Sequence, residues 1–174
     1  MTTMKIKLGD FSVRSWRQED APSVARYADN RKIWINLRDA FPHPYRLADA
    51  RTFINTCMSR KPETFFCIAH EDTSIGSIGF SVHTDVERFN AEIGYWLAEP
   101  FWGRGIMTGV LKAVTEYALS AHDLNRIYAL PYEWNPASMR VLEKAGYICE
   151  GRMRHSAFKD GRFVDQLLYA FTRE

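Results

Sequence analysis

The sequence predicts a mixed α/β domain with a mostly antiparallel sheet flanked by helices, and three observations carry that prediction. The first is the stretch from Ala91 to Thr108, Ala-Glu-Ile-Gly-Tyr-Trp-Leu-Ala-Glu-Pro-Phe-Trp-Gly-Arg-Gly-Ile-Met-Thr. It passes from an apolar strand pattern through a proline turn and a glycine-spaced loop into an amphipathic helix. The second is the pairing of short apolar runs on either side of it. Residues 64–70 face 75–83 across Asp72-Thr-Ser, and 148–154 face 163–171 across a connection holding Asp160-Gly161, a two-residue hairpin signal. The third is length: 174 residues fit one domain, 1–174, large enough to bury a core without disulfide or metal staples.

Taken in order, residues 4–16 hold two short apolar runs around Gly9 and Asp10, the second alternating as a strand does from Phe11 to Trp16. Asp20 is placed to cap a helix with Pro22 in its first turn and Val24, Ala25 and Ala28 on its inner face. Between Ile33 and Tyr45 the chain is aromatic and irregular; two X-Pro steps impose extended backbone, while Trp34 and Leu37 suit a short helix. A helix over about 47–59 turns Leu47, Ala50, Ile54, Cys57 and Met58 inward, with Arg46 a weak cap. The helix that starts at Gly105 or Ile106 buries Ile106, Val110, Ala113, Val114, Tyr117, Ala118 and Ala121. Arg126 to Pro131 is a short strand, after which Asn135-Pro136 opens a last helix that Gly146 closes.

Composition narrows the class of function. Hydrophobic content of 46% with 25% charged residues is that of an ordinary globular protein. No run approaches the roughly 20 apolar residues of a membrane span. The opening Met-Thr-Thr-Met-Lys-Ile-Lys-Leu-Gly-Asp is unlike a signal peptide, so a cytoplasmic protein without a membrane partner is expected. A net charge of +2 is too small to make nucleic acid the main partner. Cys57, Cys67 and Cys149 are odd in number and far apart, which points to reduced, mostly buried thiols and to no metal site.

The glycine-spaced loop carries the chemistry. Gly103 and Gly105 let the backbone bend and let a ligand approach main-chain N–H groups with no Cβ in the way. The helix start adds unpaired N–H groups and the positive end of its dipole, so a phosphate or pyrophosphate is the natural occupant.

These residues resemble the GCN5-related N-acetyltransferases (GNAT), whose acetyl-CoA loop has the form Gln/Arg-x-x-Gly-x-Gly/Ala between a strand and a helix. The matching six are Trp102, Gly103, Arg104, Gly105, Ile106 and Met107. Trp102 and Met107 depart from that form, and the run Glu-Ile-Gly-Tyr-Trp-Leu followed by Phe-Trp-Gly-Arg-Gly-Ile-Met-Thr resembles the RimJ/RimL-type branch, which tolerates both. The likeness continues through Asn36 to Phe53, Asn135 to Tyr147 and Phe158 to Tyr169. It implies a GNAT-type sheet, acetyl-CoA as co-substrate without a metal, and a primary amine as acceptor, either a protein N-terminus or a small molecule. Trp102 to Thr108 would hold the pyrophosphate, and Trp96, Leu97 and Ala98 would pair with the pantetheine as an added strand does. The stretch from Ile33 to Tyr45 would line the acceptor cleft.

Acetyl transfer to an amine needs a proton acceptor and a donor for the departing thiolate. Glu92 resembles the catalytic glutamate of the GCN5 branch, with His83, His155 and Glu150 as competitors and His43 and His70 read as surface residues. Many relatives place a tyrosine acid seven residues after the helix-opening asparagine, where this chain has Leu142; the Rim-type pattern uses a serine three residues after it, which is Ser138. Asn135 is read both as the helix cap and as a CoA contact. Ala157 stands where the ribosomal-protein enzymes carry a glutamate base, so their acceptor is not inherited by resemblance. Direct attack in a ternary complex is preferred, because no cysteine lies in an activating motif. A CoA-binding sensor, an enzyme for a larger acyl group, and a homodimer all remain open to the sequence.

Overall fold

The computed structural model describes residues 4–173. Strands β1 (Lys5–Leu8) and β2 (Phe11–Arg14) form a hairpin turned by Gly9 at φ +65°. Helices α1 (Ala21–Ala28), α2 (Arg31–Trp34) and α3 (Leu47–Ser59) follow, then β3 (Phe65–His70), β4 (Thr73–Val82) and β5 (Asn90–Leu97). After the glycine loop come α4 (Ile106–Ala121), β6 (Arg126–Ala129), α5 (Pro136–Lys144), β7 (Ile148–Lys159) and β8 (Arg162–Thr172). The sheet order is β1-β2-β3-β4-β5-β6-β8-β7, with β5 and β6 parallel and the β1–β2, β2–β3, β3–β4, β6–β8 and β7–β8 ladders antiparallel. The expected fold class therefore holds.

The chain divides into two compact units, residues 1–79 with 95–106 and residues 80–94 with 107–174. In the first, Val24 and Ala28 of α1 and Ala50, Ile54 and Cys57 of α3 close on Trp16 and Trp96. The 50, 54, 57 spacing gives α3 a single buried stripe. Leu47 and Met58, expected inward, lie at the two ends of α3 and are exposed, because the helix outruns the surface it packs on. In the second unit the buried stripe of α4 runs through Val110, Leu111, Val114 and Ala118, and the Thr115 and Tyr147 hydroxyls are 2.7 Å apart within the same interior.

Two further expectations change. Asp20 does not cap α1 with its side chain; its carboxylate takes a bidentate bond from Arg14 (2.7 and 2.8 Å) and the Arg17 N–H (2.9 Å). A buried guanidinium needs a charge partner more than a helix start needs a cap. The arms of the last hairpin are longer than the hydrophobic pattern suggested, leaving only Asp160-Gly161 as the turn, because β7 is an edge strand exposed almost throughout and carries two bulges that break its alternation. Cys149 sits on that strand and is exposed, whereas Cys57 and Cys67 are buried.

Candidate active site

The glycine loop is anchored before it opens. Its approach is a short 3₁₀ turn, Glu99–Phe101, whose Glu99 carboxylate accepts from Asn30 Nδ2 at 2.7 Å and from Lys32 Nζ. Those bonds, the Lys32 one foremost, hold the Glu99 carboxyl below its ordinary range. The Trp102 indole Nε1 donates to the Leu97 carbonyl at 2.7 Å, and the Arg104 guanidinium lies 5.4 Å from the centre of the Phe101 ring. Gly103 (φ +73°) and Gly105 (φ +74°) take left-handed conformations, and a Cβ built on either would meet no heavy atom within 4 Å. The glycines are thus required by backbone angle, not by packing, and the space beside them is open. Ile106 and Met107 are buried, and the first-turn N–H groups of α4, Thr108 included, have no i−4 carbonyl inside the helix to bond. The glycine loop thus leads, with open space beside it, directly into the free N–H groups that begin α4.

Along β5, main-chain polarity alternates. The Ala98 N–H donates to Ile75 O at 2.7 Å, so Ala98, and Trp96 two residues earlier, turn their backbone groups towards β4. Leu97 and Tyr95 then turn theirs the other way, and Leu97 O already accepts the Trp102 indole. Of the three residues expected to pair with pantetheine, Leu97 is the one whose N–H points away from β4; Tyr95, which the sequence reading left out, is its companion. The Trp96 ring is core, set edge-on to Phe41 at 6.0 Å.

The parallel β5–β6 ladder pairs Asn90 with Arg126, Ala91 with Ile127 and Glu92 with Tyr128. β6 ends one residue later, while β5 continues to Leu97, so Glu92 and Tyr128 occupy the last rung. Partners in a ladder point to the same face. Ala91 and Ile127 are buried on the other face, and Glu92 and Tyr128 are half-buried. The Tyr128 hydroxyl is 2.9 Å from His83 Nε2, and His83 Nδ1 is 3.5 Å from Glu87 in the 3₁₀ turn Asp85–Glu87. His83, a competitor to Glu92 by sequence, is thereby tied to the strand that flanks Glu92. Tyr128 escaped the sequence reading, although its outward place in Arg-Ile-Tyr-Ala was the available signal.

The other competitors have employment elsewhere. Glu150 takes a two-pronged bond from Arg126, which holds its carboxyl below the usual range and makes it a poor base. His155 stands in a left-handed conformation (φ +50°) on a β7 bulge, its N–H donating to Asp165 at 2.8 Å and its ring stacked on Phe163. On α5, the Asn135 side chain accepts the Ser138 N–H at 3.2 Å, so Asn135 is the helix cap. Ser138 is half-buried in the first turn and Leu142 is fully buried one turn on. No group of three or more His, Cys, Asp or Glu among the described residues could hold a metal ion.

A family model described as an acetyltransferase (GNAT) domain matches residues 11–148. The chain belongs to that family. An uncharacterised N-acetyltransferase, p20, of Bacillus licheniformis is 26% identical over 167 residues, covering 94% of this chain and 93% of its own. The ribosomal-protein-serine acetyltransferase of Escherichia coli (strain K12) is 36% identical over 107 residues, 60% of this chain and 58% of that protein. The fold matches Mycobacterium smegmatis RimJ in complex with CoA-disulfide at a TM-score of 0.85 and 23% identity, over 98% of this chain and 86% of that one. The protein is an acyl-CoA-dependent N-acetyltransferase that uses acetyl-CoA and passes the acetyl group to an amine, and its likeness runs to the RimJ/RimL branch. In this GNAT domain burial pushes the Cys57 and Cys67 thiols up to about 12, so neither is a thiolate at neutral pH.

Proposed function

We propose that this acetyltransferase takes a primary amine, the α-amine of a protein N-terminus or a small molecule, and that Glu92 receives a proton from it as it attacks acetyl-CoA directly in a ternary complex. The observation that carries this reading is the position of Glu92 on the last rung of the β5–β6 ladder, opposite Tyr128, on the face away from the buried Ala91 and Ile127 and three residues before Tyr95 on the same strand. A carboxylate there can meet an amine while the reacting thioester lies along the strand beyond it. Trp102 to Thr108 would cradle the pyrophosphate; Leu97 would bond the pantetheine. Asn135 would hold the start of α5, and the Ser138 hydroxyl would meet the departing thiolate. The amine nitrogen attacks the carbonyl carbon, the C–S bond breaks with its electron pair going to sulfur, and CoA leaves as the thiol. Two thiols kept protonated by burial favour direct attack over an acyl-cysteine.

We take the two units as one acetyltransferase domain, 1–174, since the family match runs unbroken from 11 to 148 through both. No helix among the described residues is long and apolar enough to cross a membrane, which accords with a cytoplasmic enzyme. The chemistry needs no second copy, and a homodimer would leave it unchanged.

Thiol release from acetyl-CoA in the presence of spermidine, lysine and tetrapeptides beginning with serine, alanine or methionine tests the reading. Acetylation of at least one amine, matched mole for mole by free CoA, is expected. Failure of every amine to raise thiol release above hydrolysis would leave a CoA-binding module instead. With an accepted amine, Glu92→Gln should retain acetyl-CoA binding and lower kcat/KM by roughly 10² to 10⁴, the range of a positioned acid-base group.

A further inference from the structure

Between ammonium and amide an acceptor nitrogen sheds two protons, and one carboxylate holds one of them. The last rung of the ladder carries a second titratable assembly beside Glu92. Tyr128 is the register partner of Glu92, its hydroxyl is 2.9 Å from His83 Nε2, and His83 Nδ1 is 3.5 Å from a Glu87 carboxylate oxygen. We infer that Tyr128 and His83 form a second proton-accepting unit for the acceptor amine, with Tyr128 meeting the nitrogen and His83 storing the proton behind it. The inference rests on Glu92 marking the acceptor site.

The geometry sets the direction of transfer. Glu87 beside Nδ1 favours a ring that carries its proton there, leaving Nε2 as acceptor for the phenol. The Tyr128 oxygen takes a proton from the ammonium as its own proton passes to His83 Nε2. The freed lone pair attacks the thioester carbon, the C–S bond breaks towards sulfur, and the second nitrogen proton goes to Glu92. One proton leaves with CoA as thiol through Ser138 or water, and the other returns to solvent from the imidazolium, which Glu87 stabilises while it lasts. The charges around the pair are Glu87 on the turn, Glu92 on β5, and Arg126 two residues before Tyr128 on the same face of β6, the last neutralised by Glu150 of β7. Tyr128 is the group in reach of substrate; His83 acts through it and is a positioning residue as well as a proton store.

Two measurements on the full chain test this. The first needs no acceptor: ¹⁵N NMR of the imidazoles, with His83 assigned by its loss in His83→Gln, reads which nitrogen is protonated in the neutral ring. Protonation at Nδ1, with a changed Nε2 shift in Tyr128→Phe, is expected. A neutral ring protonated at Nε2 makes His83 the donor to Tyr128 and overturns the proposal. The second uses acetyl-CoA and whichever of spermidine or the serine, alanine and methionine peptides has the highest kcat/KM. Tyr128→Phe and His83→Gln should each lower kcat about 100-fold, keep the acetyl-CoA thermal shift, and remove one ionisation from the acidic limb of the kcat/KM profile. A full rate with an unchanged acidic limb in both variants also overturns it. Loss in Glu92→Gln alone would uphold the acceptor site while sinking the relay, and wild-type rates in all three variants would sink the acceptor site as well.

Discussion

Gly105→Ala separates the backbone role of this glycine from its proposed part in the cofactor cradle. Its φ of +74° costs an L-residue about 1–2 kcal/mol, and loss of unfolded-state freedom returns about 0.4–1 kcal/mol. No packing cost is added, because the new Cβ would meet nothing within 4 Å. The unliganded protein should therefore lose at most about 1.5 kcal/mol, or roughly 3–6 °C in Tm at the 2–4 °C per kcal/mol of a chain this size. Gly161, at φ +78° in the β7–β8 turn, has the same empty surroundings and no part in the loop, so Gly161→Ala should show the same loss. The two diverge when CoA is added. At a hundredfold excess over Kd the ligand contributes roughly 2.7 kcal/mol, which Gly161→Ala should retain in full. In Gly105→Ala the methyl group would enter the space that the proposed cradle leaves for the pyrophosphate; a tenfold weaker Kd would cut the contribution to about 1.4 kcal/mol. Differential scanning fluorimetry across a CoA titration reads both terms. Equal CoA-induced shifts in the two variants would refute the cradle, whatever their unliganded stabilities.

Ser138→Ala should keep CoA affinity and helix α5, because the Asn135 cap bonds the Ser138 N–H, which alanine retains; single-turnover acetyl transfer should slow roughly tenfold to a thousandfold, the effect of losing one transition-state donor. Asp165 is held below its ordinary range first by the His155 N–H and then by Arg152, so its stabilising effect is present above the ordinary aspartate range and is lost as pH falls through the lowered folded value. The Tm gap between wild type and Asp165→Asn should accordingly shrink on acidification from neutral pH, and a constant gap would remove the electrostatic account. Iodoacetamide at mildly alkaline pH should label exposed Cys149 in the native protein and reach Cys57 and Cys67, whose thiols burial pushes up to about 12, only after unfolding.

Elements whose signals are local were legible in the chain. Asn135-Pro136 and Gly146 bracket α5 because a cap, a first-turn proline and a left-handed C-terminal residue act within a few bonds of the helix they limit. The Gly103 and Gly105 loop was readable for the same reason. Asp20 was not, since its partner Arg14 lies at the end of β2, outside the helix Asp20 precedes, and a buried charge outranks a cap. The long β7 defeated periodicity because an edge strand exposed almost throughout has no apolar face to alternate with, and its bulges shift the phase.

The site shows the same division more sharply. Glu92 is singled out by its resemblance, in Ala-Glu-Ile three residues before Tyr95, to the glutamate of the GCN5 branch, a one-dimensional signal, but what surrounds it depends on which strand lies beside β5. That neighbour is β6, thirty-odd residues further on, and its register alone sets Tyr128 opposite Glu92 and brings His83 to Tyr128 from the end of β4. A one-residue slip of β6 would put Ile127 or Ala129 there instead and turn Tyr128 into the interior. The buried Ile127 and Ala129 oppose that slip, since it would expose both of them and bury a phenol. The apolar residues that look purely structural in Arg-Ile-Tyr-Ala therefore hold the polar one in register, and the chemistry available at Glu92 is decided by the packing on the opposite face of the strand.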